Sequence, residues 1–356
     1  MTSTNNPLAE SAGAVPNVSR VTLTVSGLKV DVYGLTELPA AANEVSCLWL
    51  HHPRLRAKED MASIADQVLS AYHQRSTSSS SSTRGLIAVA FDQRNHGSRL
   101  VDARANDDWR SGNKTHAQDM FGMITGTVVD TMNLLDMLEG YLFGAGDGPG
   151  ALPDGGKRRI DQNLVLGVSL GGHSAWQLLF ADPRVTAGVI VIGCPDYPNL
   201  LKDRARLSKL QTYLESDGGS FFGSRDFPDA LINACNKYDP RSILFGIGDN
   251  KQLSNLANDS EKLRPLLAYR ISGKRFQVLS GGADKLVPYR VGEPFMQFFK
   301  SAAESWQVDG GIYIEDNIYP SAGHEFSAEM RNDAVRFIVD SVGLADREKE
   351  IASPKI

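Results

Sequence analysis

The sequence predicts an α/β protein: a mostly parallel twisted sheet with helices on both faces. Three observations predict it. Short apolar runs of the kind found in buried parallel strands alternate with stretches of helical periodicity. A Gly-x-Ser-x-Gly pattern, Gly167-Val168-Ser169-Leu170-Gly171, stands directly behind one such run, Leu164-Val165-Leu166. Residues 197–269 carry helical segments with no strand among them, which predicts a helical lid inserted after the sixth strand.

The elements follow in order. Residues 1–17 are polar and small, lack the basic and apolar regions of a secretory signal, and read as a disordered arm. Val18 to Val25 and Leu28 to Tyr33 alternate apolar with polar residues around Ser26-Gly27, which predicts an antiparallel hairpin at the sheet edge. Val45 to His51 is the next strand. Lys58 to Tyr72 has helical spacing, with Met61, Ile64, Ala65, Val68 and Leu69 on one side. Ser76 to Thr83 is serine and threonine only and reads as a surface loop. Leu86 to Phe91 is a continuous apolar run, as in a central parallel strand. A long helix from Asp119 to Leu142 and a Gly- and Pro-rich turn, Gly144 to Gly156, lead to the strand ending at Leu166. A helix from Leu170 to Phe180 and a strand from Ala187 to Ile192 follow.

Within residues 197–269, Leu200, Leu201, Leu207, Leu210 and Leu214 mark one amphipathic face. Asp226-Phe227-Pro228 reads as a helix start with Asp226 as cap. Strands at Phe276 to Leu279 and Gly311 to Ile314 and a helix from Ala328 to Val342 complete the pattern. The chain thus divides into an arm (1–17), a core (18–196 and 270–345), a lid (197–269) and a tail (346–356).

Composition narrows the function. A chain of 356 residues is long enough for one enlarged domain that buries about 75% of its unfolded surface. A net charge of -5 gives no electrostatic footprint for nucleic acid. No run of about 18 apolar residues exists, so no membrane span is expected. Cys47, Cys194 and Cys235 are odd in number and widely spaced, with neither a disulfide framework nor a metal pattern. They read as buried thiols in a reducing compartment, and the cytoplasm is the expected location. A homodimer is compatible with all of this and required by none of it.

A serine hydroxyl is a poor nucleophile at neutral pH and needs a base, which in turn needs an orienting carboxylate. On a strand–turn–helix nucleophile the partners follow in the order serine, acid, histidine. Of seven histidines, five (His51, His52, His73, His96 and His116) precede Ser169, and His173 lies one helical turn beyond it. Only His324 is far enough downstream, in a loop between a strand and a helix. Asp284, in Gly281-Gly282-Ala283-Asp284-Lys285-Leu286-Val287-Pro288, follows the strand Phe276 to Leu279 and is the better acid. Asp316, after the next strand, is the alternative.

At this point the chain resembles the α/β-hydrolase superfamily over roughly residues 45–342. Four blocks carry the resemblance in order: Leu50-His51-His52-Pro53, Phe91-Asp92-Gln93-Arg94-Asn95-His96-Gly97-Ser98, Gly167-Val168-Ser169-Leu170-Gly171-Gly172, and the Asp284 and His324 loops. The chain also looks like a branch of intracellular hydrolases related to dienelactone hydrolases and prolyl oligopeptidases, with Asn113 to Met120 as part of that branch's pattern. For that segment, helix capping and packing are the expected roles. Asp92 and Arg94 are expected to brace loops, His96 to lie near the cleft, and His173 to pack beside the turn.

The resemblance implies a Ser169–His324–Asp284 triad cleaving a carboxylic ester or related acyl bond of a small molecule, with no metal and no organic cofactor. It also implies an oxyanion hole, one donor of which is the amide of Leu170. Many members carry His-Gly after the third strand. Here His52-Pro53 stands in its place, proline has no N–H, and the second donor becomes the amide of Arg54. In the lid, Phe221, Phe222 and Phe227 suit either an apolar acyl pocket or ordinary packing; with His52 and Tyr197 they are the expected substrate-facing residues. The same triad also serves acyl transfer, C–C hydrolysis, a lyase step or peptide cleavage, and a non-catalytic ligand receptor is the reading outside enzymology.

Overall fold

The computed structural model of the chain describes residues 6–9, 17–78, 84–144, 148–152, 156–248, 260–306 and 310–352. Eight strands form one sheet: β1 (Arg20–Val25), β2 (Leu28–Tyr33), β3 (Glu44–His51), β4 (Gly85–Phe91), β5 (Arg159–Val168), β6 (Val185–Val191), β7 (Arg275–Gly281) and β8 (Tyr313–Tyr319). Their order across the sheet is β1-β2-β4-β3-β5-β6-β7-β8. β2 runs antiparallel to both of its neighbours, and every other pairing is parallel.

The helices are α1 (Ala62–Ser78), α2 (His116–Phe143), α3 (Leu170–Ala181), α4 (Tyr197–Leu207), α5 (Gln211–Leu214), α6 (Asp229–Tyr238), α7 (Pro240–Phe245), α8 (Ser260–Ile271), α9 (Tyr289–Ser305) and α10 (Ala328–Ala352). The strand side chains sort them into two layers, because successive residues of a strand point to opposite faces. Cys47, Trp49, Ile87, Val89 and Phe91 face a core shared with α2, α3, α8 and α9. Leu48, Leu50, Leu86, Ala88 and Ala90 face a second core shared with α1 and α10. Covering both faces is what makes β4 an unbroken apolar run in the sequence. A third apolar cluster joins the start of α2 to α4, α6, Phe221 and Phe227.

Several boundaries differ from the sequence reading, each for a tertiary reason. The last strand lies at Tyr313–Tyr319 rather than ending at Ile314. Glu315 and Asp316 look like turn residues, but Arg336 and Gln277 hold the first, and Lys300 and Tyr289 the second. The arm is ordered in part. Phe326 donates its amide to the Pro7 carbonyl at 2.8 Å, and Leu8 is buried in the α1/α10 core. α10 continues to Ala352, into the segment expected to be a tail, and α1 runs on to Ser78; residues 79–83 of the serine-rich stretch lie outside the described residues.

Asp226 does not cap a helix. It accepts a hydrogen bond from Thr212 Oγ1 at 2.6 Å, and α6 begins only after Pro228, whose extended backbone stands at the cap. Proline disfavours helical geometry in the residue before it, which keeps Phe227 out of the helix. The three cysteines are free and buried. Among the described residues, no helix is long and apolar enough to cross a membrane.

Candidate active site

β5 ends at Val168 and α3 starts at Leu170, so Ser169 alone makes the turn, with φ 55° and ψ -110°. A non-glycine residue with positive φ is strained and persists only where its surroundings hold it. Here the Ser169 amide donates to the Val191 carbonyl at 2.9 Å. The Ser169 carbonyl accepts from the His173 amide at 3.0 Å and from His173 Nδ1 at 2.7 Å. The glycines around it are required by space. A Cβ on Gly167 would run into the Gly171 carbonyl, one on Gly171 into the His51 carbonyl, and one on Gly172 would lie 2.7 Å from the Val191 carbonyl.

Two loops at neighbouring strand ends meet this turn. Asp284 follows β7 and His324 follows β8. Backbone bonds tie the loops together, from Gly282 to the Tyr319 carbonyl at 2.8 Å and from Ala283 to the Ala322 carbonyl at 2.9 Å. Ser169 Oγ lies 2.8 Å from His324 Nε2, and His324 Nδ1 lies 2.8 Å from Asp284 Oδ2. The other carboxylate oxygen of Asp284 accepts the amides of Leu286 at 2.8 Å and Val287 at 3.0 Å. Burial opposes the charge on Asp284, whose side chain is 0% exposed, but His324 and the two amides outweigh it and hold the carboxyl below its ordinary range. With Nδ1–H donated to Asp284, Nε2 carries the lone pair that faces the serine. Asp316 is elsewhere, on β8, bound to Tyr289 and Lys300.

A serine on a one-residue turn after β5, an aspartate after β7 and a histidine after β8 sit on one edge of a sheet ordered β1-β2-β4-β3-β5-β6-β7-β8. The chain has the α/β-hydrolase fold. No protein-family model and no curated protein matches it. Solved structures similar to it include TT1662 from Thermus thermophilus, at 15% identity and TM-score 0.48 over 90% of this chain and 97% of that one. An esterase from the archaeon Pyrobaculum calidifontis is similar at 13% identity and TM-score 0.45, over 94% of this chain and 88% of that one. The 2,6-dihydroxy-pseudo-oxynicotine hydrolase aligns at 16% identity and TM-score 0.43, over 91% and 68%.

A cavity of about 510 Å³ opens beside Ser169. Leu170 and Arg54, the two expected oxyanion donors, both line it. Leu170 is the first residue of α3, where an amide has no acceptor within the helix. Arg54 stands in the turn after β3, next to Leu55 with its left-handed φ of 62°.

The residues expected to face substrate do not line this cavity, and each is engaged elsewhere. His52 is 0% exposed, its Nδ1 donating to the Pro53 carbonyl at 2.8 Å and its Nε2 accepting the Gln93 amide at 3.0 Å. Burial and the neighbouring His96 push its pKa down to about 4, partly offset by the Pro53 carbonyl, so it is a neutral brace between two loops. Tyr197 is buried against Phe121, and its hydroxyl donates to the Ala117 carbonyl at 2.6 Å. Phe221, Phe222 and Phe227 pack on one another with ring centres 5.1 to 5.5 Å apart. Their aromatic surface is spent on closing the third core rather than on a pocket.

Asp92 and Arg94 do brace loops. Asp92 accepts the amides of Lys58 and Ser98, both at 2.9 Å, and Arg94 pairs with Asp130 at 3.0 Å. His96 is buried, with Nδ1 on the Arg94 carbonyl, and is not in the cavity wall. In the segment Asn113 to Met120, Asn113 and Thr115 donate to the Asp119 carboxylate at 3.0 and 2.7 Å, but the Thr115 side chain at the start of α2 makes no capping bond to it. Yet His116 and Met120 also line the cavity. His116 Nδ1 is on the Asp107 carbonyl at 3.0 Å, and burial, with the charges of Arg204 and Arg54, holds its pKa down to about 3. Sequence reasoning also missed Arg204 and Pro7, which line the same cavity. A charged residue on an amphipathic helix reads as solvated, and nothing local marks it otherwise.

Proposed function

We propose that the protein is a serine hydrolase that cleaves a carboxylic ester or related acyl bond of a small molecule. The observation that carries this is the continuous chain of hydrogen bonds from Ser169 through His324 to Asp284 at the wall of a cavity. Ser169 Oγ attacks the carbonyl carbon while His324 Nε2 takes its proton. Asp284 keeps Nδ1 protonated and stabilises the imidazolium that forms. The amides of Leu170 and Arg54 donate hydrogen bonds to the carbonyl oxygen as negative charge develops on it. His324 then returns the proton to the leaving alcohol, and water repeats the sequence to release the acid. α4, which brings Arg204 and Leu207 to the cavity, is part of a lid over residues 197–269. Three free, buried thiols fit a cytoplasmic enzyme.

Replacing Ser169 by alanine is expected to lower turnover of an activated aryl ester by about 10⁴-fold or more, and to abolish labelling by a fluorophosphonate probe. Wild-type activity in Ser169→Ala would remove Ser169 from the reaction.

A further inference from the structure

The cavity beside Ser169 is cationic although the chain is acidic. Arg54, Arg110, Arg204, Lys285 and Arg290 line it, against the carboxylates Asp108 and Asp284, while the whole chain carries -5. Asp284 is taken by His324, and Asp108 accepts the Ser111 amide. Arg290 is held 2.8 Å from Asp203, and Arg110 gives one nitrogen to the Leu207 carbonyl.

Arg54 and Arg204 form no ion pair among the described residues: Asp108 and Asp107 act on the first, and Asp284 on the second, only from beyond contact distance. Among the described residues, Arg54 makes one hydrogen bond, from Nη1 to the Asn106 carbonyl at 2.7 Å. Arg204 reaches the Leu286 carbonyl at 3.1 Å and Met120 Sδ at 3.2 Å. Two fully buried arginines elsewhere in the fold do have ion pairs, Arg84 with Asp161 and Glu44 and Arg241 with Asp196. Two guanidiniums on one cavity wall, hydrogen-bonded only to neutral acceptors, keep donors free, and their charges repel. Burial and the charge of Arg54 push Arg204 down to about 10, which still leaves it protonated at neutral pH. Both are half-buried, and drawing such groups further out of water, as a bound substrate would, is costly unless an opposite charge meets them. The planar guanidinium fork matches a carboxylate with two parallel N–H bonds.

We propose that Arg54 and Arg204 form an anion subsite in this cavity, and that the substrate is an ester bearing a carboxylate. The proposal rests on the hydrolase reading above for the word ester, and on the two arginines for the word carboxylate.

Two matched pairs of esters test it. One is 4-nitrophenyl hydrogen adipate against 4-nitrophenyl methyl adipate, with the carboxylate on the acyl side. The other is 4-acetoxybenzoate against its methyl ester, with the carboxylate on the leaving side. In at least one pair, kcat/KM for the anion is expected to exceed that for the neutral ester by ~10-fold or more. That ratio is expected to fall towards one in Arg204→Gln, in Arg54→Gln, and for the wild type in ~0.5 M NaCl. Turnover of all four esters with no preference for the anion overturns the subsite and leaves the hydrolase reading standing. A preference unchanged in both variants also overturns it. If the wild type turns over none of the four, the hydrolase reading fails, and calorimetric titration of Ser169→Ala with adipate decides the subsite. Adipate binding that is lost in Ser169→Ala/Arg204→Gln supports it, and no adipate binding overturns it.

Discussion

At the scale of single residues, strain and tautomer matter most. Ser169 stays at positive φ because three hydrogen bonds and three glycines leave it no other place. In the proposed reaction His324 acts only as one tautomer, and Asp284 selects it. Asp284→Asn keeps an oxygen for the amides of Leu286 and Val287 but turns an amide N–H towards Nδ1. The proton then moves to Nε2, which can no longer accept one from serine. We expect kcat on an aryl ester to fall by about 10³ to 10⁴-fold with the fold retained; a loss below ten-fold would show that the carboxylate does not orient the base. Both residues were legible in the sequence, since a short pattern and a fixed order of partners pick them out. His52 was misread at this same scale. A histidine next to an expected oxyanion turn looks available, and only its two buried partners show that it is not.

At the scale of elements, the join between α4 and α7 holds a buried pair of carboxylates. Asp196 caps α4 through the Asn199 amide at 3.1 Å. Asp239 accepts the Tyr197 amide at 2.9 Å, and caps α7 through the amide and hydroxyl of Ser242 at 3.0 and 2.8 Å. Arg241 lies 3.6 Å from Asp196. Burial and the charge of Asp196 push Asp239 up to about 7, from an ordinary value of 3.8. An acid with a raised folded pKa favours the folded state at low pH. Its contribution is complete below the unfolded value and is lost as pH rises through the folded one. The thermal midpoint is therefore expected to fall between about pH 4 and about pH 7, and Asp239→Asn is expected to flatten that slope. An equal slope in wild type and variant would show that Asp239 ionises freely. The sequence showed helices here but not their joints: Asp226 had the look of a cap, whereas Asp196 caps α4 and Asp239 caps α7.

At the scale of the whole molecule, residues 6–9 close on the cavity and on the α1/α10 core. Pro7 lines the cavity and accepts the Phe326 amide two residues beyond His324, while Leu8, 2% exposed, fills a gap in the α1/α10 core. A segment that reads as arm is thereby part of the wall. Leu8→Ala should cost about 2 kcal/mol or more, the usual cost of emptying a buried leucine site. Chemical denaturation checks this, and an unchanged midpoint would leave residues 6–9 outside the folded unit.

By itself the sequence determined the α/β architecture and singled out Ser169, Asp284 and His324. Strand and helix periods are local, and so are the strand ends on which the fold hangs its loops. Tertiary structure alone decided what surrounds them. Whether Phe221, Phe222 and Phe227 line a pocket or fill a core depends on which elements pack over them. Whether Arg204 meets water or a second arginine depends on where α4 lies against the Asp284 loop. A cavity is made by side chains from distant segments, and no one of those segments carries its signature.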